Sequence, residues 1–263
     1  MGGLFSKSYS EGFDPLRPNP PPLAGHEAEN CLFISEFIDG YRNKISKSPV
    51  NLKARYGQNY RTADYFVKTP ITESKSGPWW SGQVLWLKSN ADGGLPHTRP
   101  PGYICLPENI TEAILPMTLL HERVHLHQRR YPDIWTSFFK KSWNMKIWNG
   151  ILPPEIDNKR RLNPDLLPIP FFIWNDIWVP ICLYKDTGNP TLTGAATAWY
   201  NSAQKVLSMT APDGWYSFFG YVPDDEHPWE LAAYYIADPR LTAPAKDLLM
   251  KLVPTLPSTF VSR

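Results

Sequence analysis

The sequence predicts an α+β fold, a single helix-rich domain with a small sheet in its N-terminal half. Short runs of β-branched and aromatic residues, punctuated by Gly and Pro, cluster between residues 65 and 106, and apolar positions at helical spacing flank them on both sides. The chain's 263 residues suffice for one well-filled domain or two small ones, and no internal repeat suggests a solenoid. The reading adopted is a flexible Pro-rich tail over residues 1–24 followed by one domain over residues 25–263. With 11 Trp and 28 Pro, aromatic packing and rigid loops should dominate that domain.

The tail carries Arg17-Pro18-Asn19-Pro20-Pro21-Pro22, which favours extended polyproline geometry and supplies no packed core. From Glu27 to about Lys47 the residues Cys31, Leu32, Ile34, Phe37, Ile38 and Tyr41 recur at roughly helical spacing and predict a helix. Strands are expected at Tyr65-Phe66-Val67, Gln83-Val84-Leu85-Trp86-Leu87 and Tyr103-Ile104-Cys105-Leu106. Helices are then expected at about Pro116 to Arg130, Asp133 to Trp148 and Gly194 to Met209, so that the second half reads as mainly helix and loop. Two last helices should begin near Pro228 and Pro244, because Pro is tolerated in a first helical turn. The aromatic stretch from Leu166 to Tyr184 is broken by Pro168, Pro170, Asn175, Asp176 and Pro180, and predicts a packed, irregular segment.

A formal net charge of +2 creates no field that calls for nucleic acid, and the basic group Lys159-Arg160-Arg161 reads as a solvated loop. Cys31, Cys105 and Cys182 are odd in number and outside any C-x-x-C spacing, as in a reducing compartment. No signal peptide and no run of about 20 apolar residues is present, so the expected location is the cytoplasm.

Chemical specificity is concentrated in His121-Glu122-Arg123-Val124-His125, inside a predicted helix. Residues four apart lie about 40° from each other around a helix and one turn up, so both imidazoles can converge on one metal ion while Glu122 flanks it. Zinc suits such a site, because it accepts imidazole nitrogen and carboxylate oxygen and leaves one position for water. Glu122 is then placed as general base on a zinc-bound water.

The segment Leu120-His121-Glu122-Arg123-Val124-His125-Leu126-His127-Gln128 resembles the active-site helix of zincin metallopeptidases, especially those reading HExxHxxQ. The resemblance covers this helix and implies a zincin-like domain that hydrolyses peptide bonds with zinc as cofactor. Gluzincins take a third ligand from a Glu on a later helix, and Glu230 in His227-Pro228-Trp229-Glu230-Leu231-Ala232-Ala233-Tyr234 looks like that element. A metzincin would need Gly at 128 and His at 131, where this chain has Gln128 and Tyr131.

Asp225 and Glu226 also offer carboxylates near Glu230, and Glu155 offers one between prolines. Glu230 is preferred because a first helical turn fixes a carboxylate better than a loop does; Glu226 reads as a solvated loop charge. The competing role for Glu230 is to stabilise the positive end of its own helix. Tyr234 or Tyr235 could donate to the oxyanion of hydrolysis, and Tyr234 is the catalytic candidate; core packing is the alternative for both. Gln128 falls nearly on the metal face, to orient a ligand or simply to pack, whereas His127 points away. Asp238 is either a partner of a ligand histidine or a helix cap.

Met1-Gly2-Gly3-Leu4-Phe5-Ser6 fits the myristoylation pattern, with Gly2 as the acceptor once Met1 is removed. One such chain gives marginal, reversible membrane binding. The expected partners are thus a peptide or protein substrate and, peripherally, a membrane. The alternative function is an inactive zinc-containing structural or interaction protein at a membrane surface.

Overall fold

The computed structural model describes residues 25–57, 59 and 83–257. The tail with Gly2 and the expected strand at Tyr65-Phe66-Val67 lie outside the described residues. The fold is α+β with a small sheet in the N-terminal half, as the sequence predicts, and a second, larger sheet is added in the other half.

The expected first helix is two, α1 (Gly25–Asp39) and α2 (Tyr41–Ser46), because Gly40 takes a left-handed φ of 59° that suits glycine. A third helix, α3 (Pro49–Tyr56), follows. The small sheet has the order β1-β3-β2, with β1 (Gln83–Leu87) parallel to β3 (Tyr103–Pro107) and β2 (His97–Arg99) antiparallel to it. The strand β2 carried no signal that sequence reading used.

Helix α4 (Leu115–Arg130) contains the HExxH motif, and α5 (Pro132–Ser142) follows at once. Helix α5 does not continue to Trp148. Asn144 adopts a positive φ of 52° and turns the chain into β4 (Met145–Ile147). A four-residue helix, α6 (Pro154–Asp157), comes next.

The second half holds a five-stranded antiparallel sheet, β4 to β8 in sequence order, which corrects the expectation of helix and loop. Its strands after β4 are β5 (Phe172–Trp174), β6 (Trp178–Tyr184), β7 (Ala195–Asn201) and β8 (Val206–Ser208). Val179, Ile181 and Leu183 point to one face at the period of two that a strand requires, yet β6 is buried on both faces and shows no alternation of polarity. Pro180 fits because β5 pairs with β6 only at Trp174↔Trp178, so the strand's partner at Pro180 is β7 alone.

The expected helix from Gly194 to Met209 is the β7–β8 hairpin. Pairing of β7 with β6 over seven residues overrides the helical preference of its alanines, and the Asn201 side chain accepts from the backbone N–H groups of Ala203 and Gln204 to make the turn. Helices α7 (Trp215–Phe219), α8 (Pro228–Ala237) and α9 (Pro244–Leu252) complete the described chain, the last two starting at the expected prolines.

The main core is aromatic. Trp135, Phe139 and Trp143 from the α5 region meet Phe172, Trp174, Trp199, Trp215 and Phe219 from the sheet and α7, together with Trp229 and Tyr235 of α8. A smaller cluster joins Val84, Ile104 and Leu106 of the first sheet to Leu119 and Leu126 of α4. Helix α4 is therefore gripped on one side by the small sheet and, through Val124, by the aromatic core. Among the described residues no helix is long and apolar enough to cross a membrane.

Candidate metal centre

Burial of Leu119, Val124 and Leu126 sets the rotation of α4 and leaves His121 and His125 one turn apart towards α8. Helix α8 is started by His227, whose Nδ1 accepts the backbone N–H of Trp229, and by Pro228 in the first turn. Glu230 lies in that first turn, and Leu231, Ala232, Ala233 and Tyr235 bury the rest of the helix in the core.

The two helices bring three donor atoms together. His121 Nε2 and His125 Nε2 are 3.0 Å apart. Glu230 Oε2 lies 3.3 Å from the first and 3.4 Å from the second. Ligands at zinc distances of about 2.0–2.1 Å in a tetrahedral shell are separated by about 3.3 Å, so the three atoms occupy the corners of one face of such a shell. The donor set, two imidazoles and a carboxylate, also matches the chemistry of a zinc site. His125 and Glu230 are buried and His121 is nearly so.

Hydrogen bonding fixes the tautomer of His125. Gln128 Nε2 donates to the Trp229 carbonyl at 3.0 Å, which can only accept, so Gln128 Oε1 is the atom that faces His125 Nδ1 at 2.9 Å. Nδ1 therefore carries a proton, and Nε2 is the nitrogen turned to His121 and Glu230. Gln128, for which orienting and packing roles were both open, ties the motif helix to α8 through this bridge. On the other side Asn163 Nδ2 donates to Glu230 Oε1 at 2.7 Å and leaves Oε2 for the triad. Burial lowers the proton affinity of His125, but the Glu230 carboxylate outweighs it and pushes the pKa up to about 9. Two imidazoles and a carboxylate at this spacing call for a positive charge among them.

Glu122 is buried, and its Oε2 has no hydrogen-bond partner among the described residues. Burial, reinforced by Asp165, pushes its carboxyl well above the ordinary carboxylate range. Tyr234 packs its ring edge-on against His121 at 4.6 Å between centroids, and its hydroxyl donates to Asp224 Oδ2 at 3.0 Å. Tyr235 instead donates to the Phe219 carbonyl and packs against Trp143 in the core, away from the triad. His127 accepts from Trp135 Nε1 at 2.9 Å, in keeping with its expected direction. The Asp238 carboxylate pairs with Arg240 rather than with a ligand histidine.

The competing carboxylates are engaged elsewhere. Asp225 accepts from Trp215 Nε1 at 2.9 Å, and Glu226 accepts from Arg161 Nη2 at 2.8 Å. Two expectations are corrected here: Glu226 and Arg161 are not solvated loop charges but an inward-facing ion pair, with Asp224 as the second carboxylate on Arg161 at 2.6 Å. Glu226 is buried against Arg161, and its neighbour Asp225 is tied to Trp215 of the aromatic core.

A cleft of about 390 Å³ opens over the triad and is lined by His121 and Glu122 of α4, Glu230 and Tyr234 of α8, and Asn163 and Asp165 of the loop before β5. The contributions of Asn163, Asp165 and Arg161 had no local signal, since each depends on a partner more than 60 positions away. Compared with protein families, curated proteins and solved structures, the chain gives no match.

Proposed function

We propose that this chain is a zinc-dependent metallopeptidase of gluzincin type that hydrolyses peptide bonds in the cleft between α4 and α8. The observation that carries the reading is the triangle of His121, His125 and Glu230 beside a buried Glu122 oxygen without a hydrogen-bond partner among the described residues. The two histidines and Glu230 would hold the ion. When bound, zinc polarises a carbonyl and lowers the pKa of water.

The chain's own groups supply the rest. Glu122 stands one residue from His121, about 100° around the helix, so it borders the triad without being one of its corners. Its Oε2 is the atom that takes the proton of the attacking water and passes it to the leaving amine. Gln128 and Asn163 hold His125 and Glu230 in place from opposite sides. The Tyr234 hydroxyl stands at the cleft wall, and donation to the developing oxyanion requires it to exchange its bond to Asp224 for one to substrate.

The test is zinc content together with a broad peptide-cleavage screen on the purified full-length protein and its Glu122→Gln variant. Both should hold stoichiometric zinc, and Glu122→Gln should lose at least about a hundredfold in turnover. Zinc without turnover in the native protein would establish the structural alternative, and no zinc at all would defeat both. Loss of zinc from Glu122→Gln as severe as from His121→Ala would make Glu122 a ligand or a structural residue.

A further inference from the structure

The cleft that opens over the triad also reaches β2, whose first residue, His97, forms part of its wall with Leu95, Pro96 and Leu192. His97 is only 2% exposed. Its Nδ1 lies 2.9 Å from the Leu95 carbonyl, which can only accept, so Nδ1 carries the proton and Nε2 is a lone-pair acceptor. That Nε2 is buried and has no hydrogen-bond partner among the described residues. Burial lowers the pKa of the imidazole against the pull of Asp92 and Asp165, which keeps the ring neutral and the acceptor intact near neutral pH.

His97 is built into the same frame as the triad. The backbone N–H and the hydroxyl of Thr98, its neighbour, both donate to Asp165 Oδ1 at 2.6 Å. The Asp165 N–H donates in turn to Asn163, whose Nδ2 holds Glu230, so the imidazole keeps a fixed place relative to the proposed third ligand. The charges around it are already engaged: Arg42 pairs with Asp92, Arg99 pairs with Asp39, and Asp165 is bonded to Thr98. What His97 lacks is a donor, not a counter-charge. Buried polar groups are nearly always hydrogen-bonded, and one left open on the wall of a cleft is a place for a ligand to bond.

We propose that His97 determines which peptides the cleft accepts, its Nε2 taking a hydrogen bond from a side-chain hydroxyl of the substrate, as in threonine, whose apolar remainder lies towards Leu95 and Leu192. The inference rests on the peptidase reading and names its substrate class, peptides with a hydroxyl-bearing residue close to the scissile bond. A pocket that hydrogen-bonds a hydroxyl rejects the isostere lacking it, because the buried acceptor is then left unmet.

Calorimetric titration of the zinc-loaded, full-length Glu122→Gln protein tests this, with end-blocked alanine hexapeptides that carry a single Thr or a single Val at each position in turn. At one position the Thr peptide should bind at least about tenfold more tightly than its Val counterpart, and only the Thr peptide should shift the Nε2 resonance of His97. His97→Asn keeps an amide that can donate to the Leu95 carbonyl but has no atom at Nε2, and in the same protein it should abolish the preference. Equal binding of Thr and Val peptides at every position would mean that His97 meets water alone, and overturns the proposal while the peptidase reading stands. A preference that survives His97→Asn, or one without a shift at His97 in the unaltered site, overturns it as well. Absence of binding by every peptide also overturns it, and takes the peptidase reading with it only where the native protein cleaves nothing in the broad screen.

Discussion

Replacing Gln128 by Met keeps the volume of the side chain but removes both hydrogen bonds of the bridge between His125 and the Trp229 carbonyl. The buried His125 Nδ1–H then loses its acceptor, while the Trp229 carbonyl gives up a second donor and keeps the helical N–H of Ala233. One unmet buried donor costs about 1–3 kcal/mol, so the variant should lose about that much stability out of a typical total of about 5–15 kcal/mol. Loss of the partner that orients a ligand histidine should also weaken zinc by about 10–100-fold, or about 1.4–2.7 kcal/mol. Competition with a chromophoric chelator measures the second effect and chemical denaturation the first. Gln128→Glu separates the two contacts, because it keeps an acceptor for His125 while setting a second oxygen against the Trp229 carbonyl; it should lose stability but retain more zinc affinity than Gln128→Met. A folded Gln128→Met protein that binds zinc as tightly as the parent would show that the bridge does not hold the ligand.

Glu230→Ala should lower zinc affinity by more than tenfold, whereas Glu226→Ala should leave it nearly unchanged and destabilise the fold by about 1.5–3 kcal/mol, because Arg161 loses one charged partner but keeps Asp224; the reverse ranking would reassign the third ligand. Burial alone would raise the Asp92 carboxyl, but the Arg42 guanidinium 3.0 Å away outweighs it and holds the pKa at about 2. Because that lies below the value of about 3.9 for an unfolded Asp, the contribution of about 2 kcal/mol is complete above pH ~4 and is lost as the pH falls towards 2. Asp92→Asn should flatten this part of the stability profile in denaturant titrations at stepped pH, and an unaltered slope would refute the assignment. Gly2→Ala, expressed in eukaryotic cells, should remove a myristoyl mass and shift protein from membrane to soluble fractions; an unmodified N-terminus in the parent would end the lipidation hypothesis.

The His121–His125–Glu230 face was legible because each helix that carries it has a local signal. The spacing of His121 and His125 needs only a helix, and Pro228 announced the helix whose first turn holds Glu230. The five-stranded sheet was hidden by its own burial: strand β6 is apolar on both faces, and the alanines of β7 imitate a helix until the long pairing with β6 is considered. The same limit applies to the residues that support the triad. Asn163 is 67 positions from Glu230, and Arg161 stands in a basic run whose composition suggests solvent, while its actual partners lie across the fold.

Helix α4 does more than present two histidines, because its last turn also builds the opposite wall of the cleft. Arg129 donates to the carbonyls of Leu167, Pro164 and Asp165 at 2.8, 2.9 and 2.8 Å. A planar fork can satisfy three carbonyls of one irregular loop at once, which a lysine ammonium on a flexible stem would not hold in the same geometry. That loop begins at Asn163, whose own side chain accepts from the Asp165 backbone and donates to Glu230. The chain of contacts thus runs from the motif helix through Arg129 and the loop to the carboxylate on α8, and returns from α8 through the Trp229 carbonyl and Gln128 to His125. His125 and Glu230 are consequently fixed by one closed circuit of hydrogen bonds. Two corners of the triangle, whose sides are 3.0–3.4 Å, are held by this circuit and the third, His121, packs against Tyr234, so the arrangement does not rest on the mutual affinity of three groups that would all act as acceptors towards a metal.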